Sequence, residues 1–216
     1  MTEAVSAAAA GARSRALPRW AEAVFAAGVL PTSMAWIYAS MAERAGGVGM
    51  PVPGWMDTAL DRALPTLPVA VWVYVSWYPA MLLLALAGRA TVRRAYVSLL
   101  LAFLTCSLGH LLLPVAIARP AFDGSSDISD RLLTWLYAVD PPRNLFPSFH
   151  AAGAGILVAM RSRGTAGGWL VAMWALAVCG SCVLIRQHYV VDVVVGFPIG
   201  VGAAALAARM LARAPR

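Results

Sequence analysis

Histidine occurs three times in the 216 residues, at His110, His150 and His188, and two of these stand in company that suits chemistry. His188 precedes Asp192 by four positions, so on a helix the two share a face. A carboxylate accepting from one imidazole nitrogen fixes the tautomer and leaves the other nitrogen free as base or nucleophile. His150 closes the run Asn144-Leu-Phe-Pro-Ser-Phe-His150. Proline suits a first helical turn, where its missing N–H costs nothing, and the free backbone N–H groups beyond it attract anions. Ser148 adds a hydroxyl donor at that helix start, with His150 just inside. Arg119, Arg143 and Arg186 flank the same segments, and the planar guanidinium matches phosphate oxygens two at a time. Ser148, Asn144, Arg119, Arg143 and Arg186 therefore form the expected phosphate-binding set. Two alternatives remain open. His188 and Asp192 would also serve as a pair that only fastens two helices. A metal is the rival use of two histidines and an aspartate, but the arginines favour an anion, and no metal site is expected.

These groups sit at the mouths of apolar stretches, where ionisable side chains are expensive and point to function. Hydrophobic residues make up 61% of the chain, charged residues 12%, and the mean hydropathy is +0.72. A soluble domain carries about 25% charged residues, so the composition is that of an integral membrane protein. All 17 basic residues are arginine, and the net charge is +7. Because the arginines gather at span ends, this charge does not imply a nucleic-acid partner. Cys106, Cys179 and Cys182 lie inside apolar stretches, and Cys179-Gly-Ser-Cys182 lacks a second pair to complete a metal site. They are expected to be inert packing residues.

A membrane-crossing helix needs about 20 mainly apolar residues. Six candidates follow, near 20–41, 67–88, 95–117, 148–161, 165–186 and 189–209. The implied fold is an all-α polytopic six-helix bundle. It comprises a segment 1–19, a single catalytic domain 20–209 and a tail 210–216. Arginines cluster before the first span, between the second and third, after the fourth and at the chain end, so both termini are expected to be cytoplasmic. The loops at 42–66, 118–147 and 186–188, and with them both histidine segments, then face the exterior. A signal peptide ending near Ala39-Ser-Met-Ala42 is the other reading of the first span and leaves that topology unchanged. Gly196 and Gly200 form a small-xxx-small pair suited to packing. The fourth span covers only 14 residues, about 21 Å of helix, so His150 should lie below the outer surface.

Together, Asn144-Leu-Phe-Pro-Ser-Phe-His150 and Gln187-His-Tyr-Val-Val-Asp192 resemble the second and third signatures of the type-2 phosphatidic acid phosphatase superfamily, which includes the vanadium haloperoxidases. The nearest resemblance is to its branch of inositol-phosphorylceramide and sphingomyelin synthase-like proteins. Residues from Leu64-Pro65 to Pro79 and from Leu113-Pro114 to Arg119-Pro120 contribute to it. The resemblance runs from about Asp61 to Gly200. It implies His188 as the nucleophile that forms a phosphohistidine, Asp192 as its orienter, and His150 as the acid for the leaving oxygen. Ser148 and Arg119 would hold the phosphate, without metal or other cofactor. The implied substrate is a lipid phosphate monoester or diphosphate in the bilayer. Transfer of a phosphoryl headgroup to an alcohol is the alternative reaction, and a non-enzymatic membrane role is a third reading. Two positions depart from the pattern. Leu112 replaces the lysine of the first motif, and Cys182 replaces the arginine six residues before His188. His110 fits no signature and is expected to be a satisfied interior histidine.

Overall fold

The computed structural model describes residues 50–84, 88–121, 127–140, 142–161 and 164–213. The expected first span at 20–41, the segment 1–19 and residues 214–216 of the tail lie outside these. The described residues form α1 (Ala59–Ala63), α2 (Val71–Val75), α3 (Trp77–Leu84), α4 (Arg89–Leu112), α5 (Ile128–Val139), α6 (Phe149–Met160), α7 (Ala166–Leu184) and α8 (Val190–Arg213). Met50 and Val115 form an isolated parallel bridge. The helices α4, α7 and α8 are long and apolar enough to cross a membrane. The chain is thus an all-α integral membrane protein with at least three candidate spans.

Local chemistry moves several expected boundaries. The second span is broken at Ser76. Pro79 has no N–H for the Val75 carbonyl, and its ring crowds that oxygen. Ser76 Oγ donates to the Val73 carbonyl at 2.6 Å and accepts from Trp174 Nε1 at 2.9 Å, pinning the break to α7. The third span begins at Arg89, so Arg93 and Arg94 belong to helical turns rather than to a connecting loop. It stops at Leu112, because Pro114 bars Leu113 from helical backbone. The sixth continues to Arg213, where a basic last turn complements the helix dipole.

Two helices occupy loops where none was expected. Thr58 and Asp61 cap α1 reciprocally, in a complete capping box. Asp127 caps α5 by accepting from the N–H groups of Ser129 and Asp130. From α5, Leu133 and Leu136 pack on Val71, Tyr74, Cys182 and Ile185, so the loop helix is seated on the ends of the second and fifth spans.

At the centre, α6 packs against α4, α7 and α8. Residues Ala151 to Ile156 are all buried, which only a helix surrounded on every side requires. Its contact with α8 is backbone to backbone. A Cβ on Gly200 would lie 1.7 Å from the Ala152 carbonyl oxygen, one on Gly196 2.3 Å from that of Ser148, and one on Gly155 2.1 Å from that of Phe197. Small residues let helices approach this closely. The starts of α6 and α8 and the ends of α4 and α7 meet at one end of the bundle, with α1 and α5 beside them. Arg89, Arg161, Arg209 and Arg213 lie at the opposite end.

A Gly200→Val change should therefore pry α6 from α8 and lower stability by about 1–3 kcal/mol, the usual cost of overpacking. Thermal unfolding in detergent measures this. Gly202→Ala, on the same helix with open space around it, should be neutral or slightly stabilising. Equal melting temperatures for the two variants would contradict the packing.

Candidate active site

His188 and Asp192 enter the site through the turn that joins α7 to α8. The N–H of Gln187 donates to the Cys182 carbonyl at 2.9 Å, and that of Arg186 to the Val183 carbonyl at 3.0 Å. With Arg186 at φ 52°, this is a Schellman helix ending whose left-handed position holds arginine in place of the usual glycine. His188 N–H reaches the same Cys182 carbonyl. The Cys182 position, where the motif's arginine is missing, thus supplies a backbone anchor, while its side chain is buried in the α5 cluster.

Arg186 carries a left-handed backbone while its side chain is held by three hydrogen bonds. Nη1 donates to the Asp61 carbonyl at 2.8 Å, Nη2 to the Leu64 carbonyl at 2.7 Å, and Nε to Thr66 Oγ1 at 3.2 Å. Asp61 answers from the other side, accepting from Val190 N–H at 2.8 Å and from Thr58 N–H at 2.9 Å. The 61–66 segment therefore clamps both residues that bracket the Gln187–Tyr189 stretch. Asp61 is 1% exposed. Its sequence signal was the Thr58-x-x-Asp61 spacing of a capping box, which reveals α1 but not the contact with residue 190.

The Asp192 carboxylate turns back to its own helix start, accepting from Tyr189 N–H at 2.8 Å. The same oxygen lies 3.5 Å from His188 Nδ1. That is longer than a formed N–H···O bond, about 2.7–3.2 Å, a spacing common for catalytic pairs without substrate. Asp192 is 0% exposed and His188 7%. With Nδ1 facing Asp192, Nε2 is the ring nitrogen on the other side from the carboxylate.

The segment holding His150 is bonded to this one. Ser148 N–H donates to the Asp192 carbonyl at 3.1 Å. Ser148 is the N-cap of α6, its Oγ accepting from Ala151 N–H at 3.2 Å, which leaves the hydroxyl proton free to donate elsewhere. Asn144, at φ 59°, takes a left-handed turn that asparagine tolerates. The Phe146–Pro147 peptide is cis. His110 Nε2 meets the Pro147 carbonyl at 3.0 Å. A Cβ on neighbouring Gly109 would lie 2.3 Å from the Pro147 ring. His110 is a buried histidine that seats the Pro147 turn on α4.

His150 sits 6.2 Å from His188, ring centre to ring centre. The rings of Tyr74, Trp77 and Tyr78 lie at 4.5, 6.1 and 6.3 Å from it. The broken second span supplies all three, and Trp77 also stacks on Trp174 and covers Gly153. Arg119 lies over the Tyr137 ring at 4.6 Å and donates to the Asp140 carbonyl and to Gln187 Oε1. Burial pushes the Tyr137 phenol up to about 12, against the pull of Arg119 and Arg186. Its O–H therefore stays intact and donates to the Ile185 carbonyl at 2.7 Å. Burial also raises Asp140, while Arg119 and His188 pull it down. Arg143 is half-buried on the segment leading to Asn144, and Leu112 is exposed at the end of α4. Among the described residues no group of three or more His, Cys, Asp or Glu side chains is arranged to hold a metal.

No protein-family model matches the sequence, and no curated protein matches it. Among solved structures, Aquifex aeolicus LpxE is similar, with a TM-score of 0.52 and 18% sequence identity. The match covers 71% of this chain and 98% of LpxE. At that identity the likeness is one of fold.

Replacing Arg186 separates its two duties. Arg186→Gly relieves the left-handed residue, worth about 1–2 kcal/mol, but removes three charged hydrogen bonds worth about 1.5–3 kcal/mol each. Net loss of stability is expected on thermal unfolding. Arg186→Lys keeps the strained backbone and cannot span three acceptors, so it too should be less stable than wild type. A glycine variant as stable as wild type would show that the three bonds together only offset the strain of about 1–2 kcal/mol, contradicting the clamp.

Proposed function

We propose that the chain is a lipid phosphatase of the type-2 phosphatidic acid phosphatase kind, hydrolysing a lipid phosphate monoester or diphosphate through a phosphohistidine. The observation that carries this reading is the convergence of two imidazoles. His188, faced by Asp192, and His150 stand 6.2 Å apart at the starts of two helices in backbone contact. The motifs resemble that superfamily, and the fold is similar to that of Aquifex aeolicus LpxE.

In the proposed reaction His188 Nε2 attacks phosphorus, forming an N–P bond as the ester P–O bond breaks. The leaving oxygen takes its proton from His150, and Asp192 stabilises the imidazolium at His188. Water then attacks the phosphohistidine, giving a proton back to His150 as the N–P bond breaks. The α6 N–H groups, Ser148, Asn144, Arg119 and Arg143 meet the charge on the phosphoryl oxygens. Arg186 acts mainly by holding the turn beneath His188. These cations and dipoles do what a metal does elsewhere, so the reaction is read as metal-independent.

The arginine-rich bundle end is read as cytoplasmic and the site end as exterior, within the six-span bundle that includes 20–41. The 12 residues of α6 give about 18 Å of helix. Against a hydrocarbon core of about 30 Å, a site measured from Arg161 is recessed below the outer surface, where a lipid phosphate would reach it from the leaflet.

Purified protein incubated with polyprenyl, glycerolipid and sphingolipid phosphates should release inorganic phosphate, undiminished by a chelator. His188→Ala should abolish release, and His150→Ala should slow it by about 10²–10⁴-fold, the usual worth of a general acid. Running the panel with and without alcohols separates hydrolysis from transfer, since product made only with an alcohol present would reassign the chain as a phosphotransferase. Activity surviving in His188→Ala would refute the mechanism.

A further inference from the structure

Gln187 lies at the centre of this polar cluster and has no part in the reaction described so far. Its side chain is 3% exposed, and Arg119 Nη2 donates to its Oε1. A guanidinium carries donors only, so the amide oxygen must face Arg119 and the NH2 group must face away. That choice settles the amide flip by chemistry. The amide nitrogen, Nε2, is buried and has no hydrogen-bond partner among the described residues. Buried polar groups are nearly always paired, and an orphaned one calls for an acceptor.

The surroundings indicate which acceptor. Gln187 and His188 both donate their backbone N–H groups to the Cys182 carbonyl, so the two side chains leave one rigid turn. Arg119 bridges from Gln187 to the Asp140 carbonyl, so its positive charge is held beside the open donor. An acceptor entering beside His188 and Arg119 is favoured if it is an anion.

We propose that Gln187 is a phosphate-binding residue, its amide NH2 donating to a non-bridging oxygen of the phosphoryl group that His188 engages. Arg119 then has a second role as a positioning residue, locking the amide with its donors toward the substrate. This rests on the phosphoryl-transfer reading above and adds a named contact to it.

Gln187→Glu is the discriminating change. It keeps the side chain's size and an oxygen for Arg119, yet replaces the donor with an acceptor that repels phosphate. Gln187→Met keeps the volume and removes the donor without adding charge, and decides the matter if the glutamate variant does not fold. The measurement is calorimetric titration of the purified full chain with inorganic orthophosphate, alongside steady-state turnover of a lipid phosphate. Gln187→Glu should weaken orthophosphate binding by about tenfold to a hundredfold and Gln187→Met by about tenfold, as expected for losing a hydrogen bond to a charged group. KM should rise in parallel, with a near-native circular dichroism melt. Orthophosphate affinity within about twofold of wild type in both variants, or no binding to wild type at all, would overturn the assignment. Weakened orthophosphate binding in a protein that turns over no lipid phosphate would uphold Gln187 and refute the phosphatase. Normal turnover with unchanged binding in both variants would do the reverse.

Discussion

The close contact of α6 with α8 is the constraint on which the remaining geometry depends. Gly155, Gly196 and Gly200 leave no side chain between the two backbones, and a Cβ at any of them would overlap a carbonyl oxygen of the facing helix. The helices can therefore begin side by side, close enough for Ser148 N–H to bond the Asp192 carbonyl. That bond places the segment 144–150 on the segment 187–192. One extra methyl group at Gly196 would act directly on the Ser148 carbonyl, at the root of the turn that leads to His150. Packing in the membrane interior and registration of the two imidazoles are the same fact seen at two heights along one interface.

A second device holds the His188 side of the site. The Schellman turn fixes the backbone of Gln187 and His188 on Cys182, and the 58–66 segment closes over it through Asp61 and Arg186. The arrangement satisfies polar groups that would otherwise be stranded at the end of an apolar bundle, where an unbonded N–H or carbonyl is costly. It also accounts for arginine where glycine is the usual residue. The strain of one left-handed residue is offset by three hydrogen bonds to a segment more than 100 positions away in the chain.

Much of this was legible in the sequence, for identifiable reasons. The long apolar runs of α4, α7 and α8 announce themselves by composition, and the His188–Asp192 spacing and the Pro147-Ser148 helix start are local patterns. Their meeting is legible only through resemblance, since no local rule relates residue 148 to residue 192. Helix α5 is not among the expected elements because an arginine-bearing, half-polar segment inside a connecting loop does not stand out against long apolar spans. Its Asp127 cap and the spacing of Leu132, Leu133 and Leu136 were nonetheless present. Arg186 is expected at the phosphate, and the structure adds that its guanidinium holds the 61–66 segment, because charge and position alone do not reveal which carbonyls lie in reach. The aromatic surround of His150 and the roles of Asp61 and Gln187 arise from contacts between distant segments, which no periodicity encodes.

The central claim is that His188 Nε2 becomes covalently bonded to phosphorus. The test is to mix the purified protein with a lipid carrying a labelled terminal phosphate, quench at high pH, where phosphohistidine survives, and locate the label by peptide mass spectrometry. Label on His188, acid-labile and absent from His188→Ala, is the expected result. Label on a serine or carboxylate, or turnover with no covalent label at any time after mixing, would contradict it.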